Sequence, residues 1–337
     1  MHDDDMPTEA DSAELATATD KSAPELSGVS AFVAKVLDQL SLSAWLPGTF
    51  FAVSVTVLAK FQDRGDINLG AVISDVSKNW VTVLVWTAPV LLLSVLVIQA
   101  SSFAAIQFLE GYGAARGPGR WCRTGLIRWQ AGRLERLEKR IGGVRRRAFD
   151  DSVDRWKGEA PEVLMALRAA AYGLGEMKLN EEHEKRLGKL KWETECAPWR
   201  MARLAEMEER LKEFPAPHRL LPTRLGNVLR ATEDGLTHAR GDVSQFALRR
   251  RFLLPPRVQL QHDQFRARLD MYATLCVVSA LLAVLSAVLL VWGDVDRRQV
   301  VLVAAMFVAF AVVAYRAAVA SARGYCTILR VMDLAGT

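Results

Sequence analysis

Charge is missing from this chain in long blocks, and those blocks constrain its fold more than any motif. Lys78 and Glu110 bracket 31 residues without a charged side chain, and Asp270 and Asp294 bracket 23. A bilayer core about 30 Å thick takes roughly 20 apolar helical residues to cross. Over all 337 residues, 51% hydrophobic and 24% charged, the averages are ordinary and hide this segregation. A purely soluble protein, a disordered chain, a collagen and a disulfide-stapled secreted domain are all excluded.

Four spans are expected. The first lies between Asp38 and Lys60, densest over residues 45–59, with Pro47-Gly48 near its start, where a helix tolerates proline best. The second covers residues 79–109 with Pro89 inside it, which predicts a kink. The third covers 271–293 and the fourth 299–315, where Arg316 can snorkel and Ala317 to Ala322 let the helix run on into water. Trp45, Trp80 and Trp292 fall at span ends, the level amphipathic rings prefer. A cleaved signal peptide is a poor reading of the first stretch, because acidic rather than basic residues precede it.

Orientation follows the basic residues. From Glu110 to Leu269 there are 33 Lys and Arg against 22 Asp and Glu. Arg116, Arg120, Arg123 and Arg128 follow the second span, while the loops at 61–78 and 294–298 carry few basic residues. The positive-inside rule puts the central segment in the cytoplasm with both termini on that side. The expected organisation is an acidic disordered tail over 1–40, a first transmembrane hairpin over 41–109, a basic cytoplasmic helical domain over 110–269, and a second hairpin with a C-terminal extension over 270–337. The fold class is therefore an all-α integral membrane protein, two helical hairpins flanking a cytoplasmic helical domain.

The central domain reads as helix nearly throughout. Leu134, Leu137, Ile141 and Val144 recur at helical spacing, as do Leu204, Met207, Leu211 and Phe214 before Pro215-Ala216-Pro217. Leu164, Leu167 and Ala171 predict a short helix after Pro161, and a further helix is expected from Thr223 to Glu233. In the segment beginning at Leu221, Pro222 fixes φ at the helix entrance and Thr223 can cap it, while Leu225, Val228 and Leu229 form one apolar face. Gly226 costs such a helix about 1 kcal/mol relative to alanine, which points to another element approaching closely. Arg224 and Arg230 can reach headgroups or Glu110. We therefore expect Pro222, Thr223, Arg224, Gly226, Asn227 and Arg230 to form a structural hub between membrane and cytoplasmic domain; an ordinary amphipathic helix is the competing reading.

The run Leu221-Pro222-Thr223-Arg224-Leu225-Gly226-Asn227-Val228-Leu229-Arg230-Ala231 resembles the LPTRLGNVLRAAE motif of a group of uncharacterised bacterial, largely actinobacterial, four-span membrane proteins. Leu46-Pro47-Gly48, Leu109-Glu110-Gly111-Tyr112 and Tyr315-Arg316-Ala317-Ala318 fit the same group. The sequence departs from it after Glu233, where Arg240-Gly241-Asp242 and Leu254-Pro255-Pro256 replace its Tyr-Gly-Leu-Asp and Trp-Pro pattern. The resemblance implies a multi-pass protein of the bacterial inner membrane and carries no reaction with it.

Chemistry is sparse. Cys122, Cys196, Cys276 and Cys326 are scattered, Glu181-Glu182-His183-Glu184 reads as a solvated charge run, and no phosphate-binding loop or nucleophile turn occurs. No catalytic residue, metal site or cofactor is expected. Arg116, Arg120, Arg123, Arg145-Arg146-Arg147 and Arg249-Arg250-Arg251 are candidates for anionic lipid headgroups, each charge near the surface contributing about 1 kcal/mol. Topology and solvation are the plainer explanation of those arginines, and nucleic acid the weakest.

Thr87, Ser94 and Ser101 line up at seven-residue spacing as a pore or packing stripe, with packing favoured. Ala280, Ala283, Ala287, Ala305 and Ala309 suggest close contact within the second hairpin. The expected function is a non-enzymatic scaffold or sensor engaging lipid, a cytoplasmic protein partner or further copies of itself. An oligomeric ion channel of bestrophin-like topology is the alternative, by fold-level analogy alone.

Overall fold

A computed structural model describes residues 42–78, 80–112, 119–156, 158–174, 180–236, 255–293 and 295–334. The acidic tail over 1–40, together with Arg116, Arg249, Arg250 and Arg251, lies outside the described residues. Among the described residues every regular element is helical. They are α1 (Leu42–Arg64), α2 (Leu69–Lys78), α3 (Trp80–Glu110), α4 (Gly119–Asp150), α5 (Pro161–Tyr172), α6 (Glu181–Leu187), α7 (Trp192–Glu195), α8 (Pro198–Leu211), α9 (Arg224–Gly235), α10 (Pro256–Trp292) and α11 (Arg297–Leu334).

Three of these, α3 over Thr87–Glu110, α10 and α11, are long and apolar enough to cross a membrane. They carry outward-facing Leu93, Phe103, Val284, Leu302 and Val313, a density of exposed apolar side chains that water does not tolerate on a monomer. α1 packs between α3 and α10, where Leu58, Phe61, Ile98, Leu282, Leu290 and Phe307 share one core. The glycine at 48 lies against Val95, so close that an added methyl would overlap its side chain.

The segment 61–78, expected as a loop, is mostly helical. α1 continues to Arg64, and α2 follows Asn68, whose side chain accepts a hydrogen bond from the Ala71 N–H at 3.0 Å. α2 buries Val72 and is tied back by Lys60 to Asp75 at 3.2 Å. Its four-residue apolar spacing is too short a pattern to separate from a loop by sequence.

α10 and α11 form an antiparallel pair 37 and 38 residues long, each roughly 55 Å at 1.5 Å per residue. Their seam differs from the expected alanine contacts: Ala280, Ala305 and Ala309 face outward, and only Ala283 of that set is buried. The inward positions are Ala273, Ser279, Leu282, Ser286 and Leu290 on α10, with Val300, Phe307, Ala314, Ala318 and Ala322 on α11. Residues 300, 307 and 314 recur at seven-residue spacing, and Phe307 also meets Phe50 of α1, ring centres 6.2 Å apart. The buried serines satisfy their hydroxyls on their own helix, Ser279 to the Leu275 carbonyl at 2.7 Å and Ser286 to the Ala283 carbonyl at 3.0 Å.

Helices α4, α5, α7 and α8 build a second core from Ile141, Phe149, Leu167, Trp192, Cys196 and Leu204. Phe149 is fully enclosed and meets Tyr172 and Trp192 edge-on. The expected helices around Leu134, Leu164, Leu204 and Thr223 are all present as α4, α5, α8 and α9. α6 turns the Glu181 charge run into a short exposed helix capped by Asn180, with His183 Nδ1 3.0 Å from Glu162 Oε2.

Candidate functional site

α9 begins where α3 ends. Thr223 is extended, and its hydroxyl accepts the Gly226 N–H at 3.1 Å, capping the helix. A second acceptor arrives from far along the chain: the Tyr315 hydroxyl takes the Arg224 N–H at 3.1 Å and the Leu225 N–H at 3.3 Å. Two oxygens thus satisfy three of the N–H groups that a helix start leaves open.

Gly226 is buried, and a Cβ there would sit 2.5 Å from the carbonyl oxygen of Glu110. Gly111 turns at φ +96 against Pro222, closing the other side of the contact. Asn227, 1% exposed, accepts the Leu221 N–H at 2.7 Å, which pins the entering chain to the first turn of α9. Below it Leu225 and Val228 pack with Leu269, Ala318, Val319, Ala322 and Cys326, joining α9 to both long helices.

Charges collect at this junction. Glu213, just beyond α8, binds Arg224 at 3.0 Å and Arg323 at 2.8 Å, so one carboxylate connects α8, α9 and α11. Arg230 reaches Glu233 at 2.9 Å, which raises its pKa above the ordinary guanidinium value. Arg219 pairs with Asp234.

Beside Glu213 opens a cleft of about 830 Å³ between α4, α8, α9 and α11. Six arginines line it, Arg133, Arg136, Arg140, Arg210, Arg224 and Arg323, against Glu206 and Glu213. Burial lowers the Arg133 pKa from its ordinary value, and the positive charge of Arg224 adds to the effect. Trp129 and Leu137 supply the apolar wall, with the Arg133 guanidinium 5.8 Å from the centre of the Trp129 ring. Among the described residues no three His, Cys, Asp or Glu side chains are grouped to hold a metal.

The six hub residues named from sequence lie together here. The candidate lipid-binding arginines do not form one patch. Arg120 and Arg147 are exposed, roughly 40 Å apart along α4. Arg145 pairs with Glu208, Arg146 lies 5.5 Å over the Tyr172 ring, and Arg123 is half-buried. The stripe on α3 also divides: Ser94 is buried and donates to the Val90 carbonyl at 2.6 Å, while Ser101 is exposed and donates to the Ile98 carbonyl at 3.2 Å. Thr87 lies elsewhere, beside α2 in an apolar hollow with Val72 and Leu91.

Sequence reasoning missed Glu213, Arg133, Arg136, Arg140 and Arg323 as a set. The available signal was the spacing of 133, 136 and 140, which puts three arginines on one side of a helix. Comparison with protein-family models, curated proteins and solved structures finds no match to this chain.

Proposed function

We propose that this is a non-enzymatic integral protein of the bacterial inner membrane, a scaffold or sensor crossing four times through α1, α3, α10 and α11. Its helical domain, with α4 to α9, lies in the cytoplasm and engages anionic lipid headgroups or a protein partner. The location rests on the resemblance to four-span bacterial proteins and on the basic excess between the second and third spans. α1 completes the fourth crossing because it runs alongside α3 and α10 in their shared core.

The observation that carries the reading is the contact between Gly226 and the Glu110 carbonyl, reinforced by the Tyr315 hydroxyl. It joins α9 to the end of α3 and the middle of α11, which supports a helical domain coupled to those helices and suited to relaying a binding event between them. Labelling with a membrane-impermeant maleimide tests the topology. A cysteine in place of Glu206, and the exposed natural Cys122, react in inverted vesicles and stay unlabelled in intact cells. Reaction of position 206 in intact cells would refute the orientation.

A further inference from the structure

We propose that the arginine cleft between α4, α8, α9 and α11 binds a ligand carrying at least two phosphates. The proposal rests on the topology above only for the side of the membrane from which the ligand comes. Trp129, Arg133, Arg136, Leu137 and Arg140 recur at helical spacing along one face of α4, and all five line the cleft. The other three arginines are already held: Arg210 by Glu206 at 2.5 Å, and Arg224 and Arg323 by Glu213.

Arg133, Arg136 and Arg140 are different. None has a carboxylate partner among the described residues; Arg136 donates only to the Gly132 carbonyl, at 2.9 Å. Like charges gathered along one cleft repel one another; at Arg133 burial lowers the pKa first, and the neighbouring positive charge of Arg224 adds to it. An anion relieves the repulsion. Guanidinium forks match phosphate oxygens in pairs and give short, charge-assisted hydrogen bonds.

Size decides how many phosphates. Arg133, Arg136 and Arg140 are spread over roughly 10 Å of helix axis, a length that accommodates two phosphates side by side. A cleft of about 830 Å³ is likewise far larger than a single phosphate. Depth allows two sources. Arg323 lies eight residues beyond Tyr315, roughly 12 Å past the end of the uncharged run of α11. At that level a diphosphate lipid headgroup and a soluble diphosphate both reach the arginines.

The test uses the full chain in detergent, titrated with sodium pyrophosphate by calorimetry. A second arm uses phosphatidylcholine nanodiscs with and without cardiolipin, whose headgroup carries two phosphates. Saturable pyrophosphate binding, weakened about tenfold or more in R133Q/R136Q/R140Q, supports the site and a soluble source. Stabilisation by cardiolipin alone, lost in the same variant, supports it with a lipid source.

K185Q/K189Q/K191Q removes as much charge on and just beyond α6 and leaves binding unchanged. If it weakens binding as much as the cleft variant, the attraction is bulk charge and the proposal fails. It fails too if neither probe binds, or if the cleft variant binds like the parent. Should the triple variant not fold, R140Q alone, at an exposed residue, must still weaken binding about threefold. Binding in detergent is blind to sidedness, so a failed maleimide experiment overturns the topology and leaves the cleft standing.

Discussion

Gly226 places a hydrogen where any other residue would drive a carbon into the chain leaving α3. Its Cβ would meet the Glu110 carbonyl, which is backbone and cannot swing aside. Gly226→Ala is therefore expected to cost about 1–3 kcal/mol, as overpacking does, and to lower the unfolding midpoint in detergent. Gly142 and Gly143 in α4 are the contrast, since an added Cβ meets nothing within 4 Å. Alanine at either is expected to stabilise by up to about 1 kcal/mol. Equal melting of all three variants and the parent would remove the close approach as the reason for Gly226.

Tyr315→Phe deletes the acceptor of two N–H groups at the start of α9, with an expected loss of about 1–3 kcal/mol. Slowed exchange of the Arg224 and Leu225 amides in that variant would contradict it. The glycine was legible in the sequence because it costs a helix for no local gain. Glu110 was expected nearby as a reach of Arg224 or Arg230, but its backbone carbonyl as the group against Gly226 was not legible, and the two arginines pair instead with Glu213 and Glu233. Glu213 was hidden differently: in sequence it follows the charged run of Glu206, Glu209 and Arg210, and only past the end of α8 does it meet Arg224 and Arg323.

Among the elements, α10 and α11 bury small and hydroxyl residues, Ala273, Ser279, Ser286, Ala314, Ala318 and Ala322, alongside Leu282, Leu290 and Phe307. Ser286 is fully buried, whereas Val284, two positions away, is 64% exposed to the surroundings. Ser286→Leu is expected to force the helices apart and cut the yield of folded protein severalfold by size-exclusion chromatography. Val284→Leu, on the outer face, is expected to leave it unchanged. The existence of these helices was plain from their uncharged runs, but the seam was not. Apolar residues surround both helices, so the contrast between an apolar inner face and a polar outer one that reveals a core in water is missing. Alanine spacing alone selected the wrong face at 280, 305 and 309. α2 escaped notice for a related reason, its length of 10 residues being too little for a period to show.

At the level of the whole molecule, one carboxylate joins three elements, since Glu213 just beyond α8 holds Arg224 of α9 and Arg323 of α11. One core runs through Leu58, Leu282 and Phe307 and another, between α4 and α8, through Phe149 and Leu204. Glu213→Gln is expected to weaken that junction by about 1–2 kcal/mol, raising hydrogen exchange in α9 roughly tenfold. Amides around Phe149 and Trp192, which gain nothing from Glu213, are expected to keep their protection. Uniform loosening of both cores would show that they unfold as one.

The two long helices are each almost twice as long as a bilayer core is thick. About 30 Å of their roughly 55 Å suffices to cross the hydrocarbon, so the rest is a rigid arm with no joint. Membranes of different thickness tilt spanning helices to match. On such an arm, a change of about 10° in tilt carries Arg323 roughly 2 Å sideways relative to Tyr315. Arg323 forms one wall of the cleft while α4 forms the opposite wall. With α4 held in place, a tilt of α11 would widen or narrow the opening between them, as a bent lever moves a jaw.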